Sequence, residues 1–588
     1  MTATATAVGM TDRQPSLPPP GELRAVLRDG TEIFYRMWEP DGPARGALVL
    51  FHRGHEHSAR YDEFARSLVA SGFRIFAWDQ RGHGRSPGVR GHAPSFAALI
   101  KDADTFVRWI GDRHGVAMED LGVVGHSVGA VIAAAWVHDY APPVRAMALV
   151  TPAFRIKLYV PLAIPGLRLL NRFRPGASIK SYVRSAMLTH DRDQAAAYDS
   201  DSLISRNIAV NVLLGLHDTA TRLLADAAAI RTPTLIVSAG SDWVVRAGPQ
   251  REFFERLSSP VKEMATYRGF HHAVLHESGR GRVFERISQF FVESFQRPPK
   301  QTGAASVERN PGAAAAPGLA MRAAYAGAAA FLCSAGRLSA GVRLGWASGF
   351  DSGRSLDHVY RNRPEGFTPV GRLIDRVYLA SPGWRGIRTR KHNLEAALES
   401  AVRQVHSEGR PVNILDVAAG PGRYVMDTMR RLREIPITAV LRDRDERGLA
   451  AGRALAVSLG LERVSHESGD AFNPASLLFV RPRPTVAIVS GLYELFEDNA
   501  LVLQSLRGLN TALEEGGLLI YTNQPWHPQL AFIANVLTNR DGRPWVMRCR
   551  SQAEMDGLVA AAGFEKVSME TDEQAIFTVS VARKRRPA

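Results

Sequence analysis

A break in composition fixes the organisation of this chain before any motif is read. From Gln296 the sequence runs Gln-Arg-Pro-Pro-Lys-Gln-Thr-Gly-Ala-Ala, and soon Asn310-Pro-Gly-Ala-Ala-Ala-Ala-Pro-Gly. So much Pro, Gly and Ala with so little apolar bulk cannot join a packed core and reads as a linker. It predicts two separately folded blocks, 21–296 and 321–588, joined by 297–320.

The two blocks share one pattern. Short apolar runs recur at Ala47–Phe51, Phe73–Ala77, Leu121–Val124, Ala146–Val150 and Thr234–Val237, and again at Val412–Leu415, Ile437–Leu441, Val486–Val489 and Leu518–Tyr521. They lack polar alternation and carry β-branched residues, as strands buried on both faces do. Helix-like segments separate them, so each block is expected to be a doubly wound α/β domain.

Composition narrows the function classes. Apolar residues make up 45% of the chain and charged residues 22%, which is globular rather than disordered. Net charge is +15, from 73 Lys and Arg against 58 Asp and Glu. The Arg residues are spread along the whole chain, and no nucleic-acid-binding motif accompanies them, so no nucleic acid partner is expected. Only Cys333 and Cys549 occur, which excludes a disulfide framework or a cysteine-rich zinc site; no metal is expected, and a reducing compartment fits. The first residues lack the apolar segment of a signal peptide. The uncharged run Ala323–Gly336 is too short to span a bilayer, and a cytoplasmic location is expected.

In the first block, Gly125-His-Ser-Val-Gly129 follows a strand and precedes a small-residue helix, Ala130–Val137. A Gly-x-Ser-x-Gly at a strand-to-helix turn presents a serine on a tight corner, where only small neighbours let backbone and substrate approach. Ser127 is therefore the candidate nucleophile. It needs a base to take its proton, and an acid to orient that base. In this chain order the acid comes next, and Asp242 lies just after Thr234–Val237. Gly269-Phe-His-His-Ala-Val-Leu-His-Glu277 then offers His271, His272 and His276.

Phe51-His-Arg-Gly-His-Glu-His-Ser-Ala-Arg-Tyr61, Phe76-Ala-Trp-Asp-Gln-Arg-Gly-His-Gly-Arg-Ser-Pro-Gly88 and the serine motif resemble the monoacylglycerol-lipase-like, serine-aminopeptidase-type α/β-hydrolases over about 21–295. The resemblance implies an α/β-hydrolase fold acting on an ester. It places the catalytic histidine at His272 and an oxyanion hole at the backbone N–H groups of Gly54 and Val128. Where the family has His-Gly, this chain has His52-Arg53, which puts a charged side chain beside that hole. Residues 152–230 are expected to form a helical cap. Its segment Val160–Arg174, apolar with basic residues, suits a lipid-like ester or contact with an anionic membrane, which would place the protein peripherally at the inner membrane surface.

In the second block, Ile414-Leu-Asp-Val-Ala-Ala-Gly-Pro-Gly-Arg423 closes a strand and opens a helix. Gly420 and Gly422 let the backbone pass close to a ligand, and Asp416 can meet its polar groups. A dinucleotide fingerprint needs a third glycine, where Met426 and its neighbours stand. Asp443, about twenty residues on, sits where a carboxylate takes ribose hydroxyls, and Asp470 where an adenine would lie. Together these resemble class I (Rossmann-like) methyltransferases over about 351–582, with Ala418 at a position where glycine is common. The resemblance implies S-adenosylmethionine as cofactor, held by Asp416, Ala418, Gly420, Gly422, Asp443 and Asp470. No Asn-Pro-Pro-Tyr-like motif of base-amino methylation follows the fourth strand; Ser490-Gly-Leu-Tyr-Glu-Leu495 is there instead. Gly345–Gly353 and Trp384–Arg388, rich in aromatics and Arg, form either an acceptor pocket or a helical cover. The whole resembles bacterial hydrolase–methyltransferase fusions. Two other readings stand beside it: an esterase whose second domain only binds S-adenosylmethionine, and a basic membrane-surface adaptor.

Overall fold

The computed structural model describes residues 18–298 and 318–586. Residues 299–317, most of the expected linker, lie outside that range. The chain divides into two compact units at this point.

The first unit is built on an eight-stranded sheet. Its strands are β1 (Gly21–Val26), β2 (Glu32–Trp38), β3 (Ala47–Phe51), β4 (Arg74–Trp78), β5 (Leu121–His126), β6 (Ala146–Val150), β9 (Thr234–Ala239) and β10 (Lys262–Tyr267). A separate ribbon in the cap pairs β7 (Ser178–Lys180) with β8 (Asn207–Ala209). Spatial order in the main sheet is β1-β2-β4-β3-β5-β6-β9-β10. Its first two pairings are antiparallel and the rest parallel. Every residue of β3, β5, β6 and β9 is buried, because helices cover both faces of a parallel sheet. On one face Leu48, Leu50, Ile75 and Val237 pack against Phe290 and Phe291 of the helix Gly281–Gln296.

Segment 152–230 carries the helices Ala163–Phe173, Arg192–Ser200 and Val210–Ala225 with the β7–β8 ribbon. The helix Ala163–Phe173 buries none of its residues, and Leu162, Leu169 and Phe173 are exposed on it or at its start.

The second unit holds a seven-stranded sheet: β11 (Val412–Val417), β12 (Ile437–Asp443), β13 (Val464–Ser468), β14 (Val486–Val489), β15 (Leu518–Asn523), β16 (Phe564–Thr571) and β17 (Thr578–Lys584). The order β13-β12-β11-β14-β15-β17-β16 reverses between β11 and β14. Strands β11 to β15 are parallel, and the hairpin β16–β17 adds antiparallel to β15. This is a Rossmann-like sheet. In such sheets ligands bind beyond the carboxyl ends of the strands, at the point of reversal.

Five helices precede this sheet: Leu319–Cys333, Ala340–Ser348, Gly353–Arg361, Pro369–Leu379 and Pro382–Ser407. Thr368 starts the fourth, its hydroxyl accepting the Gly371 N–H ahead of Pro369, a favourable cap followed by proline in the first turn. Phe350, Trp384 and Ile387 of this cover pack with Trp545 and Phe577. The uncharged run Ala323–Gly336 falls inside a longer apolar stretch, Leu319–Leu338. By length and composition its 20 residues suffice to cross a membrane, and the stretch is almost wholly unburied. The longer stretch includes Arg322 and Arg337 near its ends.

Candidate active sites

Ser127 stands between β5 and the helix Val128–Tyr140 with φ 56°, a left-handed conformation that costs a non-glycine residue about 1–2 kcal/mol. Its neighbours must be glycine. A Cβ on Gly125 would lie 2.5 Å from Ala130 Cα, and one on Gly129 would lie 2.3 Å from the Phe51 carbonyl oxygen. The strained turn thus lies directly against β3.

The loops after β5, β9 and β10 bring Ser127, Asp242 and His272 together. His272 Nε2 lies 2.8 Å from Ser127 Oγ, and His272 Nδ1 lies 2.8 Å from Asp242 Oδ2. Asp242 Oδ1 accepts the backbone N–H groups of Val244 and Val245 at 2.7 and 2.8 Å. Burial opposes ionisation of Asp242, but His272 and those two N–H groups outweigh it, and its pKa falls below the ordinary carboxylate value. The Thr151 hydroxyl donates to the His272 carbonyl at 3.0 Å and anchors the histidine loop from the end of β6; no spacing in the sequence pointed to it.

The other candidate histidines are committed elsewhere. His271 Nε2 faces the Trp243 indole N–H at 3.3 Å, and His276 Nε2 meets the Arg60 carbonyl at 2.9 Å. His190, His271 and Glu277 cluster closely enough to suggest a metal. Glu277, however, already accepts the N–H groups of His190, His271 and Ser278 and the His190 ring.

Gly54 lies beside Val128: a Cβ on Gly54 would come 3.3 Å from Val128 Cγ2. The two residues named for the oxyanion hole are therefore adjacent. Arg53 is buried, with Nη2 donating to Glu56 Oε1 at 2.7 Å and its guanidinium 5.1 Å over the Tyr198 ring. Burial works against the Glu56 carboxylate, yet Arg53, His276 and Arg60 hold it ionised, with a pKa well below normal. The charge expected beside the hole is thus balanced inside the protein.

In the second unit, a cleft of about 750 Å³ opens where the strand order reverses. Ala418–Tyr424, Asp443–Asp445, Gly469–Phe472 and Ser490–Leu492 line it, each following a different strand. Gly420 and Gly422 have φ of 54° and 69°, and a Cβ on Gly422 would strike Leu441 Cδ1 at 2.3 Å. Ala418 takes φ 57°, the strained conformation that explains why glycine suits this position. Asp443 ends β12 with Oδ2 accepting the Gly420 N–H at 2.8 Å and Oδ1 that of Asp445 at 2.8 Å. Asp445 caps the helix Glu446–Leu459, and Asp470 Oδ1 accepts the Phe472 N–H.

Asp416 does not line the cleft. It is fully buried beneath the loop, and its Oδ2 accepts the Tyr424 hydroxyl at 2.6 Å. Burial raises its pKa well above the usual value, with the neighbouring Asp443 adding to the effect and the Tyr424 bond opposing it. Asp351 does line the cleft. It is buried with Oδ1 unpartnered, while Oδ2 pairs with Arg540 at 3.4 Å. Sequence reasoning did not single it out, because it precedes the sheet and sits in no strand-end position.

Two family models match the chain: "Serine aminopeptidase, S33" over residues 42–279 and "Putative methyltransferase" over 289–584. The protein YnbC of Escherichia coli (strain K12) is 46% identical over 578 residues, covering 96% of this chain and 99% of YnbC. A monoacylglycerol lipase of Mycolicibacterium smegmatis (strain ATCC 700084 / mc(2)155) is 28% identical over 265 residues, covering 45% of this chain and 94% of the lipase. Among solved structures, Paleococcus ferrophilus monoacylglycerol lipase aligns at TM-score 0.41 with 23% identity, covering 45% of this chain and 99% of that one. The chain belongs to the methyltransferase family matched over 289–584 and, along its full length, to the family of YnbC, with a lipase-like α/β-hydrolase domain ahead of the methyltransferase domain.

Proposed function

We propose that the chain is a bifunctional enzyme, a serine esterase joined to an S-adenosylmethionine-dependent methyltransferase. The observation that carries the first half is the strained Ser127 in line with His272 and Asp242 at 2.8 Å each. Ser127 Oγ attacks the ester carbonyl while His272 Nε2 takes its proton. Asp242 holds the ring and stabilises the imidazolium, and His272 then protonates the leaving alcohol. The N–H groups of Gly54 and Val128 take the oxyanion. Water repeats the sequence on the acyl-enzyme and releases the acid. Relatives named monoacylglycerol lipase favour a small lipid ester as substrate. An ester panel with the wild type and Ser127→Ala tests this: hydrolysis that survives in the variant contradicts it.

The residues of the second cleft fit S-adenosylmethionine. Its glycine loop lets the protein backbone pass close to a ligand, Asp443 and Asp470 suit the ribose and adenine, and the orphan oxygen of Asp351 can receive a hydrogen-bond donor. Ala418, Gly420 and Gly422 form the wall of the site, and Asp416 braces that wall through Tyr424. The bound cofactor supplies an electrophilic methyl group. The chain orients that group and excludes water around it. Calorimetric titration with S-adenosylmethionine tests the assignment, and an absence of binding contradicts it.

The two domains are proposed to fold independently, with boundaries near 296 and 321. A chain ended near Lys300 should keep its esterase activity. The apolar, basic cap and the Leu319–Leu338 stretch support peripheral contact with an anionic membrane. Liposome flotation that fades with added salt is the expected sign.

A further inference from the structure

A second cavity in the methyltransferase unit, of about 250 Å³, adjoins the cofactor cleft, and Asp351, Leu356, Arg390, Gly491, Leu495 and Trp545 line both. Its wall is largely apolar, with Leu332, Val377, Trp384, Ile387, Ile533 and Leu537. These residues come mainly from the helical cover, whose role as acceptor pocket or plain cover was open from sequence. The cavity exceeds the ~150 Å³ void that stays dry and admits benzene, and it falls just short of the ~300–1,000 Å³ typical of drug-sized sites.

One feature of the wall is charged and incompletely satisfied. Arg390 Nη1 lies 3.2 Å from Glu494 Oε1, and the two side chains are 2% and 7% exposed. Arg390 Nε and Glu494 Oε2 have no hydrogen-bond partner. An orphan donor and an orphan acceptor, both buried, are costly unless a ligand meets them. Asp351 also lines the cavity, with Oδ1 unpartnered and Oδ2 paired with Arg540, and the remaining polar wall is neutral. Burial pushes the His527 pKa down to about 4, and Gln524 Nε2 donates to the sulfurs of Met547 and Cys549 at 3.8 and 3.7 Å.

We propose that this cavity is the methyl-acceptor site and that it takes an apolar chain ending in a hydroxyl. The proposal rests on the methyltransferase reading above. A hydroxyl both donates and accepts, so it can donate to Glu494 Oε2 and accept from Arg390 Nε. In the transfer its oxygen would form the new bond to the methyl carbon, the methyl–sulfur bond pair would stay on sulfur and leave S-adenosylhomocysteine, and the hydroxyl proton would pass to Glu494 Oε2. A carboxylate or an ester only accepts, and would leave the Glu494 oxygen unmet. An ammonium only donates, and would stand against the Arg390 guanidinium.

The test is calorimetry on the full chain with 1-octanol, octanoate and methyl octanoate, with and without S-adenosylhomocysteine, beside a separate titration of S-adenosylhomocysteine itself. Ile387→Phe and Leu537→Phe each fill the cavity from a different element. The expected result is saturable octanol binding, at least about tenfold tighter than that of the acid or the ester. Either filled variant that still binds S-adenosylhomocysteine should weaken octanol by at least about tenfold. Octanol binding unchanged in such a variant, or equal affinity for all three heads, overturns the proposal. Wild type that binds octanol as expected but no S-adenosylhomocysteine removes the methyltransferase reading and with it the acceptor role. A chain that binds the nucleoside but not octanol removes the acceptor proposal alone.

Discussion

The two sites differ in how complete they are. In the hydrolase unit the reagents are side chains, and each is already partnered: Ser127 with His272, His272 with Asp242, Asp242 with two backbone N–H groups. In the methyltransferase unit the polar atoms around the cleft are partly unmet, as at Asp351 Oδ1, Arg390 Nε and Glu494 Oε2. On the proposed reading, a site that carries its own nucleophile can close the network of its reacting groups in advance, even though Arg53 Nε and His126 Nε2 beside it are unpartnered. A site whose reagent arrives from solution keeps donors and acceptors open for it. Loss of one member should therefore abolish chemistry in the first site and weaken binding in the second.

The largest expected effect lies in the hydrolase. Ser127→Ala or His272→Ala should each lower ester turnover by roughly three or more powers of ten, because triad members act as one unit. His271→Ala should leave turnover near normal, since its ring meets Trp243 rather than Ser127. Steady-state kinetics on the three variants checks this, and the reverse ranking of the histidines would break the contrast.

A smaller effect is expected at the second site. Asp443→Ala removes the carboxylate proposed to take the ribose; charge-assisted hydrogen bonds contribute roughly 1.5–3 kcal/mol each. Binding of S-adenosylmethionine should weaken at least about tenfold, at 1.4 kcal/mol per decade. Asp445→Ala is the comparison, since its carboxylate caps a helix. A calorimetric titration separates the two.

The buried carboxyls of the two units should respond to pH in opposite senses. Glu56 is held below its unfolded pKa, so its contribution to stability is present above that value and is lost as pH falls through the folded one. Asp416 is held above its unfolded pKa, so folding loses stability as pH rises from about 4 towards the folded value. Asp416→Asn keeps an acceptor for Tyr424 and removes that loss. Its unfolding midpoint should exceed that of the wild type at pH 8, with no gain at pH 3.5; an equal gain at both would contradict the assignment. The smallest effect belongs to Ala418, held at φ 57°. Ala418→Gly relieves the strain at the cost of backbone entropy, for a net stabilisation of about 1 kcal/mol or less, read by denaturant titration.

Much of this was legible in sequence because its signals are local. The buried parallel strands read as unbroken apolar runs, and the glycines at 125, 129 and 422 mark turns where a Cβ has no room, while Gly420 takes a left-handed φ of 54°. What escaped was non-local or half-exposed. Strand β13 and the pair β1–β2 show mixed burial rather than apolar runs. The Arg390–Glu494 pair joins residues 104 positions apart, which no spacing rule foresees. Asp416 looked like a ligand contact because it closes a strand, but its side chain points beneath the loop to Tyr424.

The central claim is that one chain carries two separately addressed sites. A crossed measurement tests it: ester turnover and S-adenosylmethionine affinity, each determined for Ser127→Ala and Asp443→Ala in the full chain. Ser127→Ala should lose turnover and bind the cofactor as the wild type does, while Asp443→Ala should hydrolyse normally and bind at least about tenfold more weakly. If both properties fall together in either variant, or if the wild type binds no S-adenosylmethionine, the account of two independent sites is wrong.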